Sequence, residues 1–156
     1  MKKYIGTKMI EAKPMNRGDY NAYRGWTIPE NENPADEGYL VVYTDSDNYE
    51  SWSPKDVFDR AYRSYDGGMT FGGALELLKM GFKVARKGWN GKEQYIQLAT
   101  GISYKSADGE IVNCEHDAIG NKAIAFAGTS GIQIGWLASQ ADMLAEDWGI
   151  PYITKK

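Results

Sequence analysis

Two stretches of the sequence combine side chains that could contact a ligand: residues 86–91 and residues 135–148. Each contains a tryptophan, Trp89 in the first and Trp136 in the second, whose flat indole can stack on another ring. Arg86 could hold an anion with two parallel N–H donors, which a lysine cannot do. Tryptophan in an arbitrary sequence is more often part of a core, so a purely structural role for both rings stays open.

The second stretch predicts the end of a strand followed by a capped helix over residues 139–148. Ser139 suits the N-cap because its hydroxyl can accept from a free amide of the first turn, and Asp142 can reach back to the cap. Four apolar residues recur at the spacing i, i+3, i+4, i+7 and would form one face: Ala141, Leu144, Ala145 and Trp148. A glycine and a proline then end the helix.

The other elements of this half are short. The pattern predicts a helix over 71–80 capped by Thr70 and strands over 82–86, 95–98, 123–127 and 132–134. Residues 113–117, which contain Cys114 and His116, are interpreted as a polar loop.

The amino-terminal part predicts a hairpin and two helical segments. Strands over 38–43 and 49–52 flank a polar turn, and Ser53 is predicted to cap a helix that starts at Pro54. A helical turn is expected around 19–23. The expected fold class is α+β, with small antiparallel sheets packed with short helices. Two small domains are expected, 1–64 and 69–156, joined by a linker at 65–68.

Composition excludes several classes of protein. The chain has 156 residues, and none of its apolar runs approaches the ~18 residues that a membrane span needs. A single cysteine and a single histidine exclude an internal disulfide and argue against a zinc site. The net charge of −3 argues against binding DNA or RNA, which needs a basic face. We expect a cytoplasmic protein without a cofactor.

The motifs of the carboxy-terminal part resemble those of the Thoeris anti-defence protein 2 family, across residues 69 to 150. The matching runs are Phe71-x-x-Ala74-Leu75-x-x-Leu78-Lys79-x-Gly81, then Val84 to Gly91, then Trp136-x-x-Ser139-Gln140-x-Asp142 to Trp148. Where the family has a proline before the serine of the last motif, this chain has Ala138. Residues 1–64 resemble a small phage and prophage module of unassigned activity, through Ala12-Lys13-Pro14-Met15, Gly25-Trp26, Glu37-Gly38-Tyr39 and Ser51-Trp52-Ser53-Pro54.

This resemblance implies a phage protein that acts in the cytoplasm of an infected bacterial host. It would bind and sequester glycocyclic ADP-ribose, an immune signal, without cleaving it, and would assemble as a homo-oligomer, a dimer or a tetramer. The alternatives are a sponge for cyclic di- or oligonucleotides and a structural or protein-interaction module. A nucleotide-cleaving enzyme is a further rival, but no convincing nucleophile and base stand together in the sequence.

The resemblance and the residue chemistry give seven candidate ligand contacts: Arg86, Trp89, Asn90, Trp136, Ser139, Gln140 and Asp142. The tryptophans would stack on adenine, and the arginine would hold the diphosphate. The side-chain amides of Asn90 and Gln140 would bind the base edge. The amides that start the predicted helix are a second candidate anion site. Two structural roles stay open: Arg86 could simply pair with Glu146 or Asp147, and Ser139 could simply cap its helix.

Overall fold

The computed structural model describes residues 1–89, 93–112 and 122–151. Asn90, Cys114 and His116 therefore lie outside the described residues. The chain divides into two compact units, Met1–Tyr62 (unit 1) and Arg63–Lys156 (unit 2). Both contain small antiparallel sheets and short helices, which confirms the predicted α+β class. Among the described residues, every helix is too short or too polar to cross a membrane.

Unit 1 is built on a three-stranded antiparallel sheet in the order β1-β2-β3. Its elements are β1 (Glu11–Pro14), α1 (Arg17–Arg24), β2 (Gly38–Tyr43), β3 (Tyr49–Pro54) and α2 (Lys55–Ala61). The predicted hairpin is therefore confirmed, and the helical turn expected around 19–23 is the middle of α1.

Helix α2 begins one residue later than the sequence predicted. The β3 ladder continues beyond Ser53, because the amide of Lys55 still donates to the carbonyl of Glu37 at 3.0 Å. Ser53 stays in the strand opposite Tyr39, and Pro54 occupies the N-cap position. The predicted Ser53 cap is wrong, since strand pairing holds this residue.

In its described residues, unit 2 contains two helices and three small antiparallel sheets. The helices are α3 (Phe71–Lys79) and α4 (Gln140–Leu144). The sheets are ordered β5-β8-β9, β10-β4 and β6-β7. Their strands are β4 (Ala85–Arg86), β5 (Tyr95–Thr100), β6 (Tyr104–Lys105), β7 (Ile111–Val112), β8 (Lys122–Gly128), β9 (Gly131–Ile134) and β10 (Trp148–Gly149).

Helix α3 supplies the centre of the unit 2 core. The hydroxyl of Thr70 accepts from the amide of Gly73 at 3.3 Å, so the predicted cap is confirmed. Gly81 adopts φ +92°, the left-handed conformation that ends many helices. The buried core residues are Met69, Ala74, Leu77, Leu78, Val84, Ile96 and Trp148.

The helix predicted over 139–148 is wrong beyond Leu144. Ala145 turns to an extended conformation, with ψ 149°, and Trp148 forms β10, which pairs with β4. The amide of Trp148 donates to the carbonyl of Met69 at 3.1 Å, and the Met69 amide returns a bond of 2.9 Å. This route buries Trp148 completely and leaves Leu144 74% exposed, so tertiary packing overrides the helical spacing.

The strand predicted over 82–86 is also shorter than expected. It pairs with β5 only through the Val84–Ile96 bridge, and its last two residues turn to pair with β10 as β4. This pairing brings Arg86 directly opposite Trp148.

Candidate functional site

Arg86 lies between two carboxylates that come from the α4 region. Its Nε donates to Asp147 Oδ1 at 2.9 Å, and its Nη2 lies 3.5 Å from Asp147 Oδ2. Its Nη1 donates to Asp142 Oδ1 at 3.0 Å. The hydrogen bonds that Arg86 donates to Asp147 and Asp142 raise its pKa further, so the guanidinium is permanently charged. The fork geometry fixes the orientation of this cation.

Asp142 joins this ion pair to a complete capping box. The hydroxyl of Ser139 accepts from the Asp142 amide at 3.1 Å, and Asp142 Oδ2 accepts from the Ser139 amide at 2.9 Å. Burial would raise the pKa of Asp142. Its hydrogen bonds with Ser139, together with Arg86, outweigh burial and hold the pKa below its ordinary value. The predicted capping box is confirmed, although α4 has only five residues.

Three tryptophans and a phenylalanine form an aromatic cluster next to Arg86. Trp89 meets Trp136 edge to face at 6.0 Å between ring centroids, and it meets both Phe126 and Trp148 at 5.5 Å. Trp136 also lies 6.2 Å from Trp148. Trp148 is fully buried, whereas Trp89 and Trp136 are partly exposed. The cluster therefore has a buried base and two rings that reach the surface.

The backbone on each side sets the two surface rings in place. The Trp89 amide closes a turn on the carbonyl of Arg86 at 3.1 Å. Gly135 adopts φ +93°, and the amides of Gly135 and Trp136 both donate to the carbonyl of Ile124. A side chain at position 135 would be strained in this conformation, so glycine is required to turn the chain out of β9.

The structure brings five of the seven predicted site residues together. Arg86, Asp142 and Ser139 form one hydrogen-bonded network, and Trp89 and Trp136 form the ring pair beside it. Gln140 is the first residue of α4 and is exposed, and Asn90 lies outside the described residues.

Sequence reasoning did not assign Trp148, Phe126 or Asp147 to the site. Asp147 was considered only as a structural partner of Arg86, and that pairing is found. The sequence pattern instead predicts that Asp147 and Trp148 lie on a helix, and it does not predict that Trp148 pairs with β4. The Trp148 indole donates to the carbonyl of Asp142 at 2.9 Å, which ties the buried base of the cluster to the capping box.

Two cavities lie in unit 1, and the described residues contain no cluster of metal-binding side chains. Two cavities, of about 480 and 550 Å³, are lined wholly by residues of unit 1. The aromatic cluster lines neither of them. Within residues 1–89, 93–112 and 122–151, no group of three His, Cys, Asp or Glu side chains could hold a metal ion.

Comparison with known proteins assigns the family of unit 2. The sequence model of the Thoeris anti-defense 2-like domain matches residues 69–151. The chain is also 42% identical over 87 residues to a protein named Thoeris anti-defense 2 from Bacillus phage SP01. That alignment covers 53% of this chain and 93% of the relative. This chain belongs to the Thoeris anti-defense 2-like family.

Membership of the Thoeris anti-defense 2-like family confirms the resemblance on which the functional hypothesis rests. It supports a phage anti-defence role for the chain. The family match includes Arg86, Trp89, Trp136, Ser139 and Asp142. Residues 1–68 precede it.

Proposed function

We propose that this chain binds a cyclic nucleotide immune signal of the glycocyclic ADP-ribose type and sequesters it without cleaving it. The observation that carries the proposal is that the two partly exposed rings, Trp89 and Trp136, share a neighbour with Arg86 and its fixed guanidinium: Trp148 contacts both rings and lies opposite Arg86 in the β4–β10 pair. A compact dinucleotide needs a flat apolar surface for its base and a cation for its diphosphate. We assign this binding to residues 69–156, with residues 1–64 as a separate module and 65–68 as the linker.

The ring pair supports base stacking. Trp89 and Trp136 are 71° apart in plane, so one ring can offer its face to a base while the other closes the edge. Trp148 and Phe126 support them from below and limit their rotation. Each base–aromatic stack is worth roughly 1–3 kcal/mol in single-stranded nucleic acid complexes, and we expect a similar contribution here.

Arg86 retains donors for a phosphate. A guanidinium has five N–H donors, and the contacts with Asp147 and Asp142 use three of them. The remaining two lie on Nη1 and Nη2, and each can donate to a phosphate oxygen. The carboxylates hold the cation in position, so little side-chain entropy would be lost when the ligand binds.

Asp142 is better suited to positioning than to extensive ligand contact. A carboxylate has about four acceptor sites, and three are engaged by Arg86 and by the amide and hydroxyl of Ser139. One site is left for a ribose hydroxyl. The amides of Ser139 and Asp142 are consumed by the capping box, so we assign the phosphate to Arg86 and not to the start of α4. Gln140, exposed on the first turn, is our candidate for the base edge, together with Asn90.

The ion pairs and caps of this site support the proposal of a non-catalytic mechanism. The charged groups around the ring pair are held in ion pairs and caps, which stabilise a bound state but activate no nucleophile. Sequestration then requires protein in amounts comparable to the signal.

We further propose that the chain acts as a homo-oligomer, a dimer or a tetramer, in the cytoplasm of the infected bacterial host. Strand β9 is the last strand of its sheet, and all four of its residues are exposed. Ile132 is 72% exposed, Ile134 is 51% exposed and Leu137, just beyond, is 90% exposed. An edge strand with exposed aliphatic side chains favours pairing with a second chain.

Calorimetric titration of the full chain with glycocyclic ADP-ribose tests the proposal. We expect tight, saturable binding that weakens about tenfold or more in Trp136→Ala and in Trp89→Ala, because each removes a stacking surface. Tyr104→Ala removes an exposed aromatic ring outside the cluster and should bind normally. Binding of a cyclic dinucleotide alone would select the alternative sponge. If the chain binds neither nucleotide, the proposal fails and the interaction-module hypothesis takes its place.

A further inference from the structure

Unit 1 contains a cleft that the family match does not reach. Its volume is about 550 Å³, and one wall is the face of α1 that carries Arg17, Tyr20, Asn21 and Arg24. The opposite wall consists of four consecutive residues of β3, from Tyr49 to Trp52. Side chains of a strand alternate between two faces, so four consecutive lining residues mean that the cleft runs along the edge of the strand.

The edge of β3 that faces the cleft has backbone groups available for pairing. The amide of Met15 donates to the carbonyl of Gly38, and the amide of Lys55 donates to the carbonyl of Glu37. These two backbone hydrogen bonds fix which residues of each strand direct their N–H and C=O groups toward the neighbouring strand. In β3 the residues that bond to β2 are 49, 51 and 53, so the N–H and C=O groups of Glu50 and Trp52 point outward. The backbone hydrogen bonds of the described residues outside the ladders include none to these groups.

Aromatic side chains lie on both sides of this edge. Trp26 follows the left-handed cap at Gly25, and its amide donates to the carbonyl of Asn21 at 2.8 Å. Its ring meets that of Tyr20 edge to face, with 6.0 Å between the ring centroids. Trp26 is nonetheless 54% exposed, and Tyr49 across the cleft is 63% exposed. Exposed tryptophan and tyrosine side chains are typical of the centres of protein interfaces.

Long polar side chains span the cleft without filling it. The hydroxyl of Tyr23 donates to Glu50 at 3.0 Å, and Arg24 stacks on Trp26 and lies 3.6 Å from Glu50. Arg17 stacks on the Trp52 indole at 4.3 Å. An extended peptide beside β3 would thus meet aromatic faces and charged groups of both signs, as in the addition of a strand to a sheet edge.

The chain itself carries a segment of matching character. Residues 1–7, which we call the arm, form no strand or helix in the described chain, and all of them are exposed. Tyr4 is 86% exposed and Ile5 is fully exposed. The arm holds two lysines and no acidic residue, whereas residues 8–62 hold eleven acidic and six basic side chains. Seven extended residues span about 23 Å, enough to cover the length of β3.

We propose that the cleft between α1 and β3 binds the arm of a second copy of this chain as a fourth strand of the unit 1 sheet. Tyr4 or Ile5 packs against Trp26 and Tyr49, and the arm amides pair with the outward groups of Glu50 and Trp52. The lysines of the arm add attraction to the acidic unit, which weakens with salt. This surface lies in unit 1 and does not depend on the ligand proposed for unit 2.

Fluorescence anisotropy tests the cleft directly. A labelled peptide of residues 1–7 is titrated with the full chain from which residues 2–7 have been deleted. We expect saturable binding that falls about tenfold or more in Trp26→Ala, with Tyr65→Ala, an exposed ring of unit 2, as the matched control. Two N-methylated peptides, one modified at Tyr4 and Gly6 and the other at Lys3 and Ile5, should differ sharply, because a sheet edge uses alternate amides.

The outcomes separate the possible occupants. Equal binding of a scrambled peptide, or of both N-methylated peptides, overturns strand addition by the arm, and so does unchanged binding to Trp26→Ala. Oxidation of the Ile5→Cys/Tyr49→Cys variant, made with Cys114→Ser, distinguishes a second copy from the same chain. We expect disulfide-linked dimers on a non-reducing gel. A cross-linked monomer would instead place the arm on its own β3 and contradict exchange between copies.

Discussion

Replacing Asp142 by asparagine should destabilise unit 2, because this carboxylate joins Arg86 to the capping box of α4. Its Oδ1 accepts from Arg86 at 3.0 Å, and its Oδ2 accepts from the amide and hydroxyl of Ser139 at 2.9 and 2.7 Å. Asparagine has one oxygen, so its NH₂ group must face either the guanidinium or the Ser139 amide, both of which are donors. The variant loses one side of the network whichever way it turns.

The expected cost follows from the bonds that are lost. Hydrogen bonds to charged groups contribute about 1.5–3 kcal/mol, and a helix cap contributes about 1 kcal/mol. The Asp142 and Arg86 side chains are only 16% and 24% exposed, so solvent screening reduces these values little. We expect Asp142→Asn to lower the free energy of unfolding by about 2–3 kcal/mol. The midpoint temperature of the unit 2 unfolding transition should fall by roughly 10–20 °C.

Thermal unfolding followed by circular dichroism at several pH values is the assay. The pKa of Asp142 is lower in the folded chain than in the unfolded chain, so its contribution is complete above its ordinary pKa of about 3.9. That contribution is lost as the pH falls through the folded value. The difference between wild type and Asp142→Asn should therefore shrink as the pH falls below about 3.9.

Glu146→Gln is the matched control, because it removes the same charge from an exposed neighbouring position. It should change stability by less than about 0.5 kcal/mol. If Asp142→Asn costs no more than this control, or if their difference does not depend on pH, the network does not hold the site together and the reasoning is refuted.

Two further substitutions test the packing of each unit. Gly38→Ala should destabilise unit 1 by about 1–3 kcal/mol or more in a urea titration, because its Cβ would collide with the Trp52 indole. The control Gly6→Ala places its Cβ in open space and should leave the urea midpoint unchanged. Trp148→Phe should cost unit 2 about 2–4 kcal/mol by leaving a cavity and removing the indole bond to the Asp142 carbonyl, and an unchanged urea midpoint would contradict the assigned role of this ring.

Local chemistry made much of the fold predictable. Thr70 and Ser139 are N-caps as predicted, because a hydroxyl at such a position satisfies the amides of its own helix whatever the tertiary structure. The β2–β3 hairpin and the β8–β9 pair follow from β-branched and aromatic runs around polar turns. These features depend on residues a few positions apart.

Contacts between distant residues were beyond the reach of the pattern. The apolar residues that end at Trp148 do have helical spacing. Residue 148 nevertheless forms a strand, because pairing with β4 buries its indole completely. Gly149 permits this route, because a Cβ there would lie 2.5 Å from the backbone nitrogen of Gly67. Likewise, the contact between Arg86 and Asp142 joins residues 56 positions apart. The site residues could be proposed from their chemistry, but their arrangement required the fold.

The fate of the nucleotide tests the central claim most directly. The full chain is mixed with an equimolar amount of glycocyclic ADP-ribose, freed of unbound nucleotide by gel filtration, denatured by heat and analysed by chromatography. Sequestration predicts that intact ligand co-elutes with the protein in stoichiometric amount and is released unchanged, and that Trp136→Ala retains much less. Recovery of an altered nucleotide would contradict the account, and turnover of several equivalents per chain when the nucleotide is then supplied in excess would make the chain an enzyme.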